Sequence, residues 1–316
     1  MIHRMQLPRE VLVGKNVLEQ TGSMCKTLGF SGKTIAVTGP KIYEMISPEL
    51  EKTLQREKIS LDYLIVHEAT LESVNRAEEK ISKIHPTVVL GVGGGKDIDV
   101  AKLSSARMGI PFISIPTAAS HDGIASAHSS IKGSQQPFSM KGQAPIAIIA
   151  DIALISRSPY RLTASGCGDV IAKYTAVRDW KLGSRMVNEY YGDYAANLAL
   201  MSAKLVMKSA EDIRMQKEEA IRTVVEALIS CGVAMSIAGS SRPCSGSEHL
   251  FAHALDLLTP NKALHGEKCA VGTILCAYLQ QRNWKMVRER NAASWRWVSR
   301  HLSLPAVPRL LLSLYP

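Results

Sequence analysis

Two histidines stand four residues apart in Gly246-Ser-Glu-His-Leu-Phe-Ala-His253, and a helix carries such a pair on one face. Sixteen residues beyond His249 comes His265-Gly-Glu267, at the start of another helical stretch. Far upstream, Gly166-Cys-Gly-Asp169 reads as the opening of a helix of its own. One carboxylate and two imidazoles on separate helices make a divalent-metal set that leaves coordination positions open. Each residue also has an ordinary reading. Asp169 would serve as a helix N-cap, His265 as a loop residue, and His249 and His253 as solvated or core side chains. Their coincidence with a nucleotide-type turn favours the metal.

That turn is Gly91-Val-Gly-Gly-Gly-Lys-Asp97, which follows an apolar run and opens a helix through Val100 to Ala106. Glycines there let backbone approach a pyrophosphate, and the helix N-terminus offers unpaired N–H groups with partial positive charge. The glycines are consecutive, and they do not follow the first strand-like run, so a plain Rossmann fingerprint is not met. A tight turn without a ligand is the competing reading. A second loop, Pro116-Thr-Ala-Ala-Ser-His-Asp-Gly-Ile-Ala-Ser126, follows the next strand and shares the same carboxyl edge. Its small and hydroxyl residues suit contact with a nucleotide, and Asp122 offers an acceptor to a hydroxylated substrate.

Turn and metal set together fit reduction of a carbonyl by hydride from a nicotinamide. A Lewis acid would stabilise the charge developing on the carbonyl oxygen. His253, one turn from His249, would bind substrate or relay the proton.

The elements that must position these groups divide the chain. Runs at Thr34–Thr38, Leu61–Val66, Thr87–Val92 and Pro111–Ile115 alternate with helical patterns at Ile42–Leu54 and around Val74, Ala77 and Ile81. Continuous apolar strands between helices predict a doubly wound, mostly parallel, Rossmann-like α/β domain over residues 1–154. From 155 to 316 helical periodicity takes over: Gly168–Lys181, Asp193–Lys208, Lys217–Ile237, Gly246–Leu258 and Val271–Gln281. An all-α second domain carrying metal and substrate is expected there.

All 28 acidic residues precede Arg290, leaving none from Arg290 to Pro316, where Trp295 and Trp297 crowd together. The change is read as a reading-frame shift near Arg288–Ser294 that replaces further helices. A genuine basic tail is the alternative.

The net charge of +10 is scattered, with no run of five basic residues and no interleaved aromatics, which argues against nucleic acid. Attraction of phosphate-bearing metabolites accounts for it equally well. Six dispersed cysteines without a C-x-x-C pair indicate free thiols and a reducing cytoplasm. The N-terminus lacks an apolar signal core. The uncharged stretch Ala227–Ser241 is short for a bilayer and reads as a buried helix, so no membrane insertion is expected.

Several phrases carry a resemblance: Gly91–Asp97, Ile115–Ser126, Ala147–Asp151, Gly168–Lys181, Ser240–Asp256 and Leu264–Glu267. The chain resembles the iron-alcohol-dehydrogenase, glycerol-dehydrogenase and dehydroquinate-synthase superfamily, and within it the archaeal sn-glycerol-1-phosphate dehydrogenase family, up to about Lys285. The resemblance implies Asp169, His249 and His265 as Zn2+ ligands, with Ni2+ or another divalent ion an alternative. It implies Gly93, Gly94, Gly95, Lys96, Asp97, Thr117, Ala118, Ala119, Ser120 and Ser126 as NAD or NADP contacts, and Asp122, Asp169 and His253 at the substrate. The implied reaction is NAD(P)H-linked reduction of dihydroxyacetone phosphate for archaeal-type lipid synthesis, by a cytoplasmic homo-oligomer with small-molecule partners. The alternatives are a glycerol dehydrogenase, a dehydroquinate-synthase-like enzyme, or an inactive nucleotide-binding homologue with an aberrant C-terminus. Arg242, just before the metal helix, is the candidate for the substrate phosphate.

Overall fold

The computed structural model describes residues 5–132, 137–258 and 263–291. Its first half holds β1 (Glu10–Gly14), α1 (Thr21–Thr27), β2 (Lys33–Thr38), α2 (Pro40–Arg56), β3 (Ser60–Ile65), α3 (Leu71–Ile84), β4 (Val88–Gly93), α4 (Gly95–Arg107) and β5 (Phe112–Pro116). A hairpin of β6 (His128–Lys132) and β7 (Pro137–Lys141) follows, then β8 (Ala147–Asp151). Six strands form one parallel sheet in the order β1-β8-β5-β4-β2-β3. The doubly wound α/β expectation is met.

Side-chain alternation explains the two layers of cover. Ala36, Leu90, Val92, Ile113 and Ile149 pack on one face with Cys25, Ile46 and Leu50 of α1 and α2. Ile35, Val37, Val89 and Ile148 pack on the other with Val74, Ile81 and Ile98 of α3 and α4. That second core continues into the helices of the other half. Because β2 has β3 on one side and β4 on the other, the direction of winding reverses between β2 and β4. Open α/β sheets bind ligands at such a switch point, and the glycine turn leaves β4 there.

After Asp151 every described element is helical: α5 (Ile152–Ile155), α6 (Tyr160–Val187), α7 (Asp193–Lys208), α8 (Ala210–Arg214), α9 (Glu218–Ala238), α10 (Ser247–Leu258), α11 (His265–Leu279) and α12 (Trp284–Arg290). The long α6 is the axis, with α7, α9, α10 and α11 packed along it. By length and hydropathy α9 could cross a membrane. Its Val224, Val225, Leu228 and Cys231 are instead buried in the shared core.

Several boundaries differ from the sequence expectations. α6 begins at Tyr160 rather than Gly168, so Asp169 lies in its third turn and is not an N-cap. Gly166 and Gly168, ordinarily signs of a break, sit inside the helix because other backbone passes there. An added Cβ would strike the carbonyl oxygens of Ala119 and Gly266. α11 starts at His265, six residues before its apolar periodicity. Its first turn is given over to His265, Gly266, Glu267 and Lys268. β1 escaped notice because its side chains are exposed or half-buried. The expected frame shift falls on the tail, which from residue 292 lies outside the described residues.

Candidate cofactor turn and metal centre

Gly93 ends β4 with φ 149°, a left-handed value that favours glycine. Gly94 then donates its N–H to Asp97 Oδ2 at 3.1 Å, closing the turn as α4 starts at Gly95. Gly95 has no Cβ because the His121 ring lies against it. His121 Nδ1 accepts the Gly123 N–H at 2.9 Å, so in the neutral ring the proton sits on Nε2, over the turn. Burial pushes the Asp97 carboxyl up to about 7, only partly offset by Lys96 and the Gly94 N–H. Its Oδ1 is buried without a hydrogen-bond partner, as is Thr38 Oγ1 at the end of β2. Two unpartnered oxygens beside a turn of small residues fit a hydroxylated, phosphate-bearing cofactor. Lys96 reaches away to the carbonyl of His67 at 3.0 Å.

The second loop ties this turn to the helices. Thr117 donates its N–H to the Gly93 carbonyl at 2.9 Å, and Thr117, Ala118, Ala119 and Ser126 are buried. The Ser120 carbonyl accepts from Ser165 of α6. Lys102 of α4, fully buried, donates to the carbonyls of Gly123 and His128, both at 2.7 Å, and pairs with Asp99 at 3.1 Å. A cation held by two carbonyls and one carboxylate fixes the loop rigidly.

The loop delivers Asp122 onto the helical half. Its N–H donates to Asp169 Oδ2 at 2.8 Å, and its own Oδ2 accepts from Lys173 Nζ at 2.8 Å. Lys173, one turn along α6, also meets Asp169 Oδ1 at 2.5 Å. Burial opposes the charge on Lys173, but Asp122 and Asp169 overcome it and hold the ammonium well above its usual range. Burial likewise opposes charge on Asp169, and Lys173 with the two histidines holds that carboxyl well below its usual range.

His249 approaches the same carboxylate, with Nε2 3.6 Å from Asp169 Oδ1. Its Nδ1 lies 2.8 Å from Oε1 of the fully buried Glu248. Glu248 is anchored in turn by the Gly246 N–H and the Thr175 hydroxyl, each at 2.7 Å. A carboxylate on Nδ1 leaves Nε2 free toward Asp169, the arrangement that orients metal-ligating histidines. The His265 ring stacks obliquely on His249 with centroids 5.2 Å apart. His253 lies 6.3 Å from His265, more exposed, its imidazole pushed down by burial and by His265 and His249.

A fourth group joins unannounced by the spacing of the histidines. Cys269 Sγ is 3.5 Å from His265 Nε2, and the donor atoms of His249, His265 and Cys269 all lie within 4.8 Å of one another. Burial raises the thiol, yet the two imidazoles bring it down to about 7. Asp169, His249, His265 and Cys269 offer the oxygen, nitrogen and sulfur donors that suit a divalent transition metal.

Sequence reasoning missed Lys102, Lys173, Glu248 and Cys269. The available signal was spacing alone, since Lys173 and Cys269 each stand one turn after an expected ligand. Arg242 is placed away from this centre. Its guanidinium forks onto Glu189 at 2.6 and 2.8 Å, close to Gly183. Gly183 is fourteen residues beyond Asp169 on α6, about 21 Å along the axis. An arginine committed there does not reach a substrate at Asp169.

Comparison with known proteins places the chain in a family. The family model described as iron-containing alcohol dehydrogenase matches residues 12–159. A glycerol-1-phosphate dehydrogenase [NAD(P)+] of Methanosarcina mazei is 50% identical over 285 residues, 90% of this chain and 80% of that protein. Its counterpart of the same name in Pyrococcus furiosus is 52% identical over 288 residues, 91% and 83%. The chain belongs to the glycerol-1-phosphate dehydrogenase family. Solved structures share the fold at lower identity. Glycerol dehydrogenase of Schizosaccharomyces pombe superposes with a TM-score of 0.81 at 20% identity, covering 93% of this chain and 77% of that one. Sulfoacetaldehyde reductase of Bifidobacterium kashiwanohense, solved with NAD+, gives 0.75 at 18% identity, covering 95% and 86%.

Proposed function

We propose that this chain reduces dihydroxyacetone phosphate to sn-glycerol-1-phosphate, reversibly, with NADH or NADPH. A divalent cation, Zn2+ first among candidates, is held by Asp169, His249 and His265. The observation that carries this reading is the hydrogen bond from Asp122 of the cofactor-side loop to Asp169 of the helical cluster. It joins the loop beside the glycine turn to the histidine cluster, which supports a reading with the hydride source on one side and the carbonyl-polarising ion on the other. The names of relatives at about half identity support the substrate and the cofactor.

The Gly93–Asp97 turn and the α4 N-terminus take the cofactor's phosphates on backbone N–H groups. Thr117–Ser120 and Ser126 line the adjoining wall. When bound, the metal polarises the substrate carbonyl and stabilises negative charge developing there. Asp122, held by Lys173, accepts a hydrogen bond from a substrate hydroxyl and so orients the carbonyl carbon. Glu248 fixes the tautomer and the plane of His249. His253, pushed below its usual value, is neutral near pH 7 and carries one N–H and one free nitrogen. It hands a proton inward to the product oxygen while taking another from water. A reducing compartment fits six free, buried cysteines.

The test is oxidation of NADH and NADPH on dihydroxyacetone phosphate, with unphosphorylated dihydroxyacetone in parallel. Turnover of the phosphorylated ketone at a kcat/KM at least ~100-fold higher is expected, since unmatched buried polar groups discriminate strongly. Equal rates on both ketones would refute the phosphate-dependent reading.

A further inference from the structure

His265 and Cys269 stand one turn apart on α11, so both side chains leave the same face of the helix. Their Nε2 and Sγ atoms are 3.5 Å apart, and His249 on α10 supplies a third donor within 4.8 Å of both. Asp169 Oδ1 comes within 3.6 Å of His249 Nε2 from the side of α6. Two helices thus place two nitrogens and a sulfur within 4.8 Å of one another, and a third sets the Asp169 oxygen 3.6 Å from one of the nitrogens. Zinc bonds of about 2.1 Å to nitrogen and 2.3 Å to sulfur set tetrahedral ligand atoms roughly 3.6 Å apart. The observed N···S spacing matches that edge. Cys269 is fully buried and packs against the small Ala172 and Ala252.

We propose that Cys269 supplies a sulfur donor to the ion held by Asp169, His249 and His265, and that this donor sets the ion preference. The inference rests on the metal reading above. An O/N/N/S set selects thiophilic ions such as Zn2+ or Co2+ over Mn2+ or Mg2+, which take oxygen. Zinc tolerates a fifth ligand, so a sulfur donor would not shut a substrate oxygen out of the site. A thiol that merely hydrogen-bonds the imidazoles would show the same spacing in the metal-free chain, and the experiment separates the two.

The full chain, stripped of metal and reloaded with Co2+, is read by absorption spectroscopy. The expected spectrum has visible cobalt bands together with an intense sulfur-to-cobalt band in the near ultraviolet. The near-ultraviolet band disappears in Cys269→Val and Cys269→Ser while the visible bands persist. Visible bands without the ultraviolet band in the unaltered chain overturn the sulfur donor and leave the metal reading intact. No visible bands at all overturn the metal reading itself. Chelator competition gives a second readout: Zn2+ affinity of both variants falls about 10-fold or more, with Mn2+ affinity unchanged. Equal loss for both ions would make Cys269 a packing neighbour only.

Discussion

The glycine turn and the proposed metal centre solve opposite problems of assembly. The turn is local: Gly93, Gly94, Gly95 and Asp97 are contiguous, and their geometry is carried by backbone and one carboxylate. The centre gathers Asp169, His249, His265 and Cys269 from three helices and keeps them in place with buried charge. A local site survives small shifts of its neighbours, whereas a dispersed one depends on every helix crossing that supports it.

The largest expected effect tests the buried charge. Lys173→Met leaves Asp122 and Asp169 facing each other without a cation. Losing one partner of such a cluster costs about 3–5 kcal/mol. Chemical denaturation in EDTA should show that loss, and a bound divalent ion should restore part of it by replacing the missing charge. An equal loss with and without metal would detach Lys173 from the centre.

A smaller effect tests the helix crossing. Gly266→Ala would drive a methyl into the Ser165 carbonyl of α6, beside His265. Overpacking of this kind costs about 1–3 kcal/mol. Metal affinity should fall in the same variant, because the shift moves α11 and its histidine. Thermal unfolding and metal titration read the two consequences separately.

The smallest effect belongs to the turn. Asp97 has its folded value raised to about 7 from 3.8, so the folded state holds a proton that the unfolded state has lost. Stability from this group is complete below pH 4 and declines as pH rises toward 7. Asp97→Asn keeps an acceptor for the Gly94 N–H and should flatten that slope in the cofactor-free protein. An unchanged slope in urea titrations from pH 4 to 7 would show that the carboxyl is not the cause.

The same contrast explains what the sequence disclosed. The parallel strands and most helices were legible from periodicity, and α7 was expected at its observed bounds, Asp193–Lys208. The glycine turn was legible because its geometry is carried by consecutive residues. In the helical half the residue types at the centre were visible, but not how they meet. Gly166 and Gly168 read as the opening of a helix although they lie inside α6, because the backbone that passes beside them comes from 119 and 266. Lys173 and Lys102 went unremarked, since nothing local records that a carboxylate or carbonyl far along the chain will enclose them. Arg242 misled for the same reason: proximity to the metal helix in sequence placed it, in space, beside Glu189.

The central claim is that the helical half supplies a metal that the chemistry requires. Its most direct test is NAD(P)H oxidation on dihydroxyacetone phosphate before dialysis against EDTA, after it, and after Zn2+ is added back with metal content measured. The account predicts turnover that falls at least ~10³-fold on stripping, as loss of several kcal/mol of charge stabilisation requires. It predicts recovery as one ion per chain is restored. Full turnover by a chain shown to hold no metal would contradict it.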